Sequence, residues 1–105
     1  MSQPLPAPAP ACSLSAADGA NRAARWRALI DAELLSRTTT AVGERLAFRA
    51  DAAVAVELDA LVAAERDCCP FLTLRVERAD RALVLDVSGP ADAMPIVEAM
   101  FGTAP

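Results

Sequence analysis

Ala23, Trp26, Leu29, Ile30 and Leu34 recur at spacings of three and four residues and draw one apolar stripe, which predicts a helix over about 16–35. Ser15-Ala16-Ala17-Asp18 supplies its start signal, a capping residue with an acid three positions on. Gly19 weakens the first turn, so the start can fall later. Thr38-Thr39-Thr40 is β-branched and polar and disfavours continuation. Leu46 and Phe48 alternate with Arg45, Ala47 and Arg49, the period of a strand over 44–49. Asp51 then caps a second helix over about 52–66, with Val54, Leu58, Leu61 and Val62 as its stripe. Pro70 disfavours helix at Cys69 and ends it.

Alternation returns over 71–78, where Leu72, Leu74 and Val76 oppose Thr73, Arg75 and Glu77. Arg78-Ala79-Asp80-Arg81 reads as a tight turn into a strand over 82–87, with Leu83, Leu85 and Val87 on one face. Val84 sits on the other face between Ala82 and Asp86, so one face is covered and one mixed. Ser88-Gly89-Pro90 breaks the strand, and a last helix over about 91–101 carries Ile96, Val97, Met100 and Phe101. Pro95 fits only a first turn, which places the start near Asp92, and Gly102 ends the helix. The order helix, strand, helix, strand, strand, helix predicts an α+β fold: a small, mainly antiparallel sheet with about three helices packed on one face. A short strand over 11–14 is a further candidate.

Residues 1–10 place Pro4, Pro6, Pro8 and Pro10 among small residues, the composition of a disordered, extended Pro/Ala-rich leader. Residues 11–105 are then a single α+β domain with no internal repeat. With 54% hydrophobic and 23% charged residues the chain has material for a core. Much of that fraction is alanine, so the core leans on Trp26, Phe48, Phe71, Phe101 and the larger aliphatics.

Ten basic and fourteen acidic residues leave a net charge of -4, which argues against a nucleic-acid partner. Arg22, Arg25 and Arg27 cluster on the first helix and read as a solvated face. No apolar run approaches the ~18 residues of a membrane span. Met1-Ser2-Gln3-Pro4 lacks a basic n-region, and the prolines exclude an apolar segment before Ala11-Cys12. A cytoplasmic protein with reduced thiols is the expectation.

The chemistry falls on three cysteines, Cys12, Cys68 and Cys69, in a chain with no histidine and no tyrosine. Serine and cysteine catalysis that needs a histidine is therefore excluded within the chain. The four glycines are isolated, so no phosphate-binding loop is present. The balance leans against an enzyme.

Cys68 and Cys69 stand at the C-terminal end of the second predicted helix, beside Glu65 and Asp67. The helix dipole and both acids oppose thiolate formation there, and Arg66 offsets them only partly. Cys12, just before a helix N-terminus, is the better placed for a lowered pKa. Cys-x-x-Cys redox spacing is absent. Coordination removes the objection, because a bound ion deprotonates a thiol outright. Three thiolates without imidazole suit soft ions: Cu(I), Hg(II) or As(III). A structural zinc site would need Glu65 or Asp67, water or a second subunit to reach four ligands.

Core cysteine, a small hydrophobe, is the plain structural explanation of the pair. Two in a row weaken it, since both cannot easily face one core. Two different functions also fit the same residues. One is a redox-active thiol protein, with Cys12 attacking and the pair resolving. The second is a non-catalytic interaction module that forms a homodimer through an uncovered sheet face.

Cys12-Ser13-Leu14 ahead of an Arg- and Trp-bearing helix, followed by Glu65-Arg66-Asp67-Cys68-Cys69-Pro70-Phe71-Leu72 ahead of a hairpin, resembles a group of small, mostly uncharacterised bacterial proteins. Their mark is an acidic-Cys-Cys-Pro-Phe motif, and some are associated with heavy-metal resistance. The resemblance spans about residues 11–102. It implies that Cys12, Cys68 and Cys69 go together, which is the set the residue types themselves offer as soft-metal ligands.

Overall fold

The computed structural model describes residues 16–102, in the order α1 (Ala16–Glu33), β1 (Leu34–Thr40), β2 (Gly43–Arg49), α2 (Ala52–Cys68), β3 (Thr73–Ala79), β4 (Ala82–Ser88), a 3-10 turn (Ala91–Ala93) and α3 (Met94–Phe101). The expected leader over 1–10 and the candidate strand over 11–14 lie outside the described residues. The four strands form one antiparallel sheet in the order β1-β2-β4-β3. The α+β class is as expected, with one strand more than the sequence pattern indicated.

That extra strand is β1. Leu34, placed by its apolar spacing in the first helix, and Leu35, within that helix's expected bounds, instead open a strand that pairs with β2. The same β-branched threonines that disfavour helix favour the pleated surface, and they turn into β2 within two residues. Its period is blurred because the register shifts between Leu34 and Ser36, leaving Leu35 exposed. At the other end of α2 the helix runs on to Cys68, past the expected stop near 66. Pro70 acts on Cys69, which leaves the helical region with φ -126° and ψ 67°. The final helix is split: Pro90 leads a 3-10 turn, and Pro95 falls in the first turn of α3, where its missing N–H costs nothing.

Core residues alternate along the central strands. Leu46 and Phe48 of β2 face Leu85 and Leu83 of β4, and all four are buried. Trp26 and Leu29 of α1, Leu58, Leu61 and Val62 of α2, and Val97 and Phe101 of α3 complete this core. The opposite face carries Arg45, Arg49, Arg75 and Asp86 among small residues. Gly43 is required where β2 meets β4, because a Cβ there would stand 1.8 Å from the Val87 carbonyl oxygen. Asp80, at φ 51°, makes the β3–β4 turn, a conformation Asp tolerates better than most residues. Among the described residues, no helix is long and apolar enough to cross a membrane.

Candidate metal centre

The last turn of α2 assembles the site. Glu65, Cys68 and Cys69 stand at positions i, i+3 and i+4, the spacing that stacks side chains on one helix face. They continue the buried stripe of Leu58, Leu61 and Val62 towards the end of the helix. Asp51 caps the start of α2 through its side chain, which accepts from the Ala53 amide. At the far end the Cys69 amide donates to the Glu65 carbonyl at 2.7 Å, and the Leu72 amide donates to the Cys69 carbonyl at 3.0 Å. Arg66 reaches out from the same turn to the Leu74 carbonyl at 2.6 Å and ties β3 to the helix end. These bonds fix the backbone that carries both sulfurs.

Both cysteines are buried, contrary to the expectation that adjacent cysteines cannot share one core. The departure of Cys69 from helical geometry explains it. The non-helical turn at the cap brings the second side chain beside the first, so the two Sγ atoms lie 3.4 Å apart. That is well beyond the ~2.05 Å of an S–S bond, so the neighbours are not bonded to each other. Cys68 carries a free thiol, whereas Cys69 is disulfide-bonded. Cys12, the third expected ligand, lies outside the described residues.

Glu65 is the centre of the cluster and is fully buried. Its Oε2 accepts from the Trp26 indole N–H at 2.6 Å. Its Oε1 accepts from Arg22 Nη1 at 3.0 Å and from the Cys68 thiol at 3.2 Å. Cys69 Sγ stands 3.9 Å from the same oxygen; as a disulfide sulfur it has no proton to donate, so this is a packing contact. Arg22 Nη1 also approaches Cys68 Sγ at 3.8 Å. A buried acid is tolerable only when paired and hydrogen-bonded, and α1 supplies both partners from one face.

Sequence reasoning watched Glu65 and Asp67 as a pair. The structure separates them: Glu65 faces inward and Asp67 is exposed. It also divides the arginines that read as one solvated face. Arg25 is about half exposed and pairs with Glu57 at 2.6 Å, while Arg22 turns inward to Glu65 with its side chain only 15% exposed. Trp26 is in the core as expected, but its indole N–H also orients the site carboxylate. The signal for this was present: Glu65 stands three and four residues before the cysteines, and Arg22 and Trp26 are themselves at i and i+4.

Burial pushes the Cys68 thiol above its ordinary pKa. The hydrogen bond to Glu65 and the negative charge of Glu65 add to this, and Arg22 opposes it only in part. The folded protein therefore holds this proton more tightly than the unfolded chain does. The linked stability is full below the ordinary thiol value of about 8.5 and is lost as pH rises through the higher folded value. Alkylation of Cys68 by iodoacetamide, followed by mass spectrometry, is expected to rise with pH at a higher midpoint in native than in denatured protein. Coincident midpoints would contradict this environment.

One ligand atom each from Glu65, Cys68 and Cys69 lies within 4.8 Å of the others, a spacing that can hold a metal ion. Two sulfurs and one oxygen form a soft, anionic donor set once Cys69 is reduced and both thiols ionise. No protein-family model, curated protein or solved structure matches this chain. The case for its chemistry therefore stands on the cluster itself.

Proposed function

We propose that this domain binds a soft metal or metalloid ion of the Cu(I), Hg(II) and As(III) class, for sequestration, delivery or sensing. Cys68 and Cys69 act as thiolate ligands, and Cys12 as the third. Glu65 lies against both sulfurs, either as an oxygen ligand or as the acceptor that orients them. The observation that carries this reading is the convergence of Glu65, Cys68 and Cys69 within 4.8 Å in a buried setting. Thiolates favour soft cations, and the absence of histidine removes the commonest borderline ligand. Ion binding would also offset the cost of ionising Cys68 next to Glu65, since the ion replaces the thiol proton.

The test is an anaerobic titration of fully reduced protein. Cu(I) is read by competition with a chromophoric chelator, Hg(II) by sulfur-to-metal charge-transfer absorption, and As(III) by mass. The wild type is expected to bind at least one of these ions at one equivalent, and Cys68→Ser/Cys69→Ser to bind none at that stoichiometry. Equal binding by both proteins would overturn the proposal.

A further inference from the structure

Glu44 lies outside the thiol cluster and carries an oxygen that nothing satisfies. It is 3% exposed and sits on the inward face of β2, in line with Leu46 and Phe48. Its Oε1 is 3.9 Å from Arg37 Nη1, an ion pair too long to be a hydrogen bond. Its Oε2 is buried and has no hydrogen-bond partner among the described residues. Arg37 is already committed elsewhere, since its Nη2 donates to the Phe101 carbonyl at the end of α3. Buried polar atoms in folded proteins nearly always have a partner, so an orphaned carboxylate oxygen calls for a donor.

A cavity of about 210 Å³ lies at the same place. Thr39, Gly43 and Glu44 of the β1–β2 hairpin form one wall, and Met94, Val97 and Glu98 of α3 the other. Thr39 stands directly opposite Glu44 in the strand pairing, so the two side chains share one side of the sheet. We propose that this cavity binds a small primary ammonium ion with a short alkyl stem, which donates to Glu44 Oε2. The site shares no residue with the thiol cluster and does not depend on soft-ion binding.

Charge selects a monocation. Glu44 and Glu98 bring two negative charges, and Arg37 beside Glu44 brings one positive charge, so a single further positive charge completes the balance. An ammonium group carries three N–H donors, and Glu44 Oε2, the Glu98 carboxylate and the Thr39 hydroxyl are acceptors of matching kind. Met94 and Val97 give the carbon stem an apolar wall. The volume is below the roughly 300–1,000 Å³ of pockets for drug-sized molecules, which limits the stem to a few carbons. A hard divalent ion is disfavoured, because it takes about six or more oxygen ligands and the Arg37 guanidinium repels it.

Amide 1H–15N spectra of the full chain test this site. n-Propylammonium is titrated in parallel with propan-1-ol, tetramethylammonium and Mg(II). n-Propylammonium is expected to move the amides of residues 39–44 and 96–98 saturably. Propan-1-ol keeps the stem without the charge, and tetramethylammonium keeps the charge without an N–H. Both are expected to bind about 10–100-fold more weakly, the factor that a hydrogen bond to a charged group is worth. Glu44→Gln is expected to lose a similar factor. Glu98→Lys puts a cation at the cavity from an exposed position, where substitution leaves the fold intact, and is expected to weaken binding about tenfold even where Glu44→Gln fails to fold. Any one of four results overturns the proposal: no saturable shift with millimolar n-propylammonium, equal binding of the three organic probes, equal binding by wild type and Glu98→Lys, or a stronger response at these amides to Mg(II).

Discussion

Replacing Trp26 by alanine is expected to lower the unfolding free energy by about 3–5 kcal/mol, the range for deleting a large buried aromatic. Trp26 is fully buried and packs edge-on against Phe101, with ring centroids 4.7 Å apart and planes at 66°. Alanine leaves a cavity between α1 and α3 and abandons that aromatic contact. It also strips Glu65 Oε2 of its 2.6 Å hydrogen bond inside the protein, where a carboxylate can recruit little else. A small domain has only about 5–15 kcal/mol in hand, so much of its stability is at stake. Trp26→Phe separates the two causes. It keeps most of the volume and the packing on Phe101, and loses only the N–H, so a smaller loss of about 1–3 kcal/mol is expected. Urea unfolding of the three proteins decides it; if phenylalanine and alanine cost the same, the hydrogen bond to Glu65 carries the effect and the cavity does not.

Glu65→Gln is expected to weaken soft-ion binding by about 10–100-fold in the reduced protein, even where both thiols remain. The substitution preserves shape and one acceptor oxygen but removes the charge. Glutamine also brings an NH2 group into a cluster where Arg22 and Trp26 already donate. One donor must then face another, which costs roughly 1–3 kcal/mol of stability. Cys68 reports the change independently. Its hydrogen bond to Glu65 and the negative charge of Glu65 both raise its pKa, so in Glu65→Gln the alkylation midpoint should move down towards the ordinary thiol range. Competition titration with Cu(I) and alkylation against pH check the two halves. Unchanged affinity together with an unchanged midpoint would show that Glu65 does not act on the sulfurs.

The elements that span their pattern cleanly were readable from the chain. α2 and β4 have one face buried throughout, so their periods of 3.6 and 2 survive in the sequence. β1 was hidden because its residues obey neither period: Leu35 bulges outward and three threonines follow an arginine that is partly buried. That arginine, Arg37, donates to the Phe101 carbonyl at the end of α3 and lies 3.9 Å from the buried Glu44, partners 64 and 7 residues away that no local pattern encodes.

The site was half legible. Adjacent cysteines marked the place, and the i, i+3, i+4 relation placed Glu65 with them. That Arg22 and Trp26 meet Glu65 from 43 and 39 residues away is a result of helix docking, which depends on the whole core. The same docking turned one arginine of a nominally solvated cluster into a site residue.

The sheet order has a kinetic corollary. β1–β2 and β3–β4 are each joined by a two-residue turn, so each hairpin can close on its own, on the microsecond scale of short hairpins. The β2–β4 seam that unites them encloses all of α2 in the intervening chain, and its loop-closure cost falls later. Arg22 and Trp26 meet Glu65 only once α1 has settled on α2. The thiol cluster is therefore completed by tertiary docking and not by α2 alone, and Cys68 and Cys69 are covered only when the core closes over them.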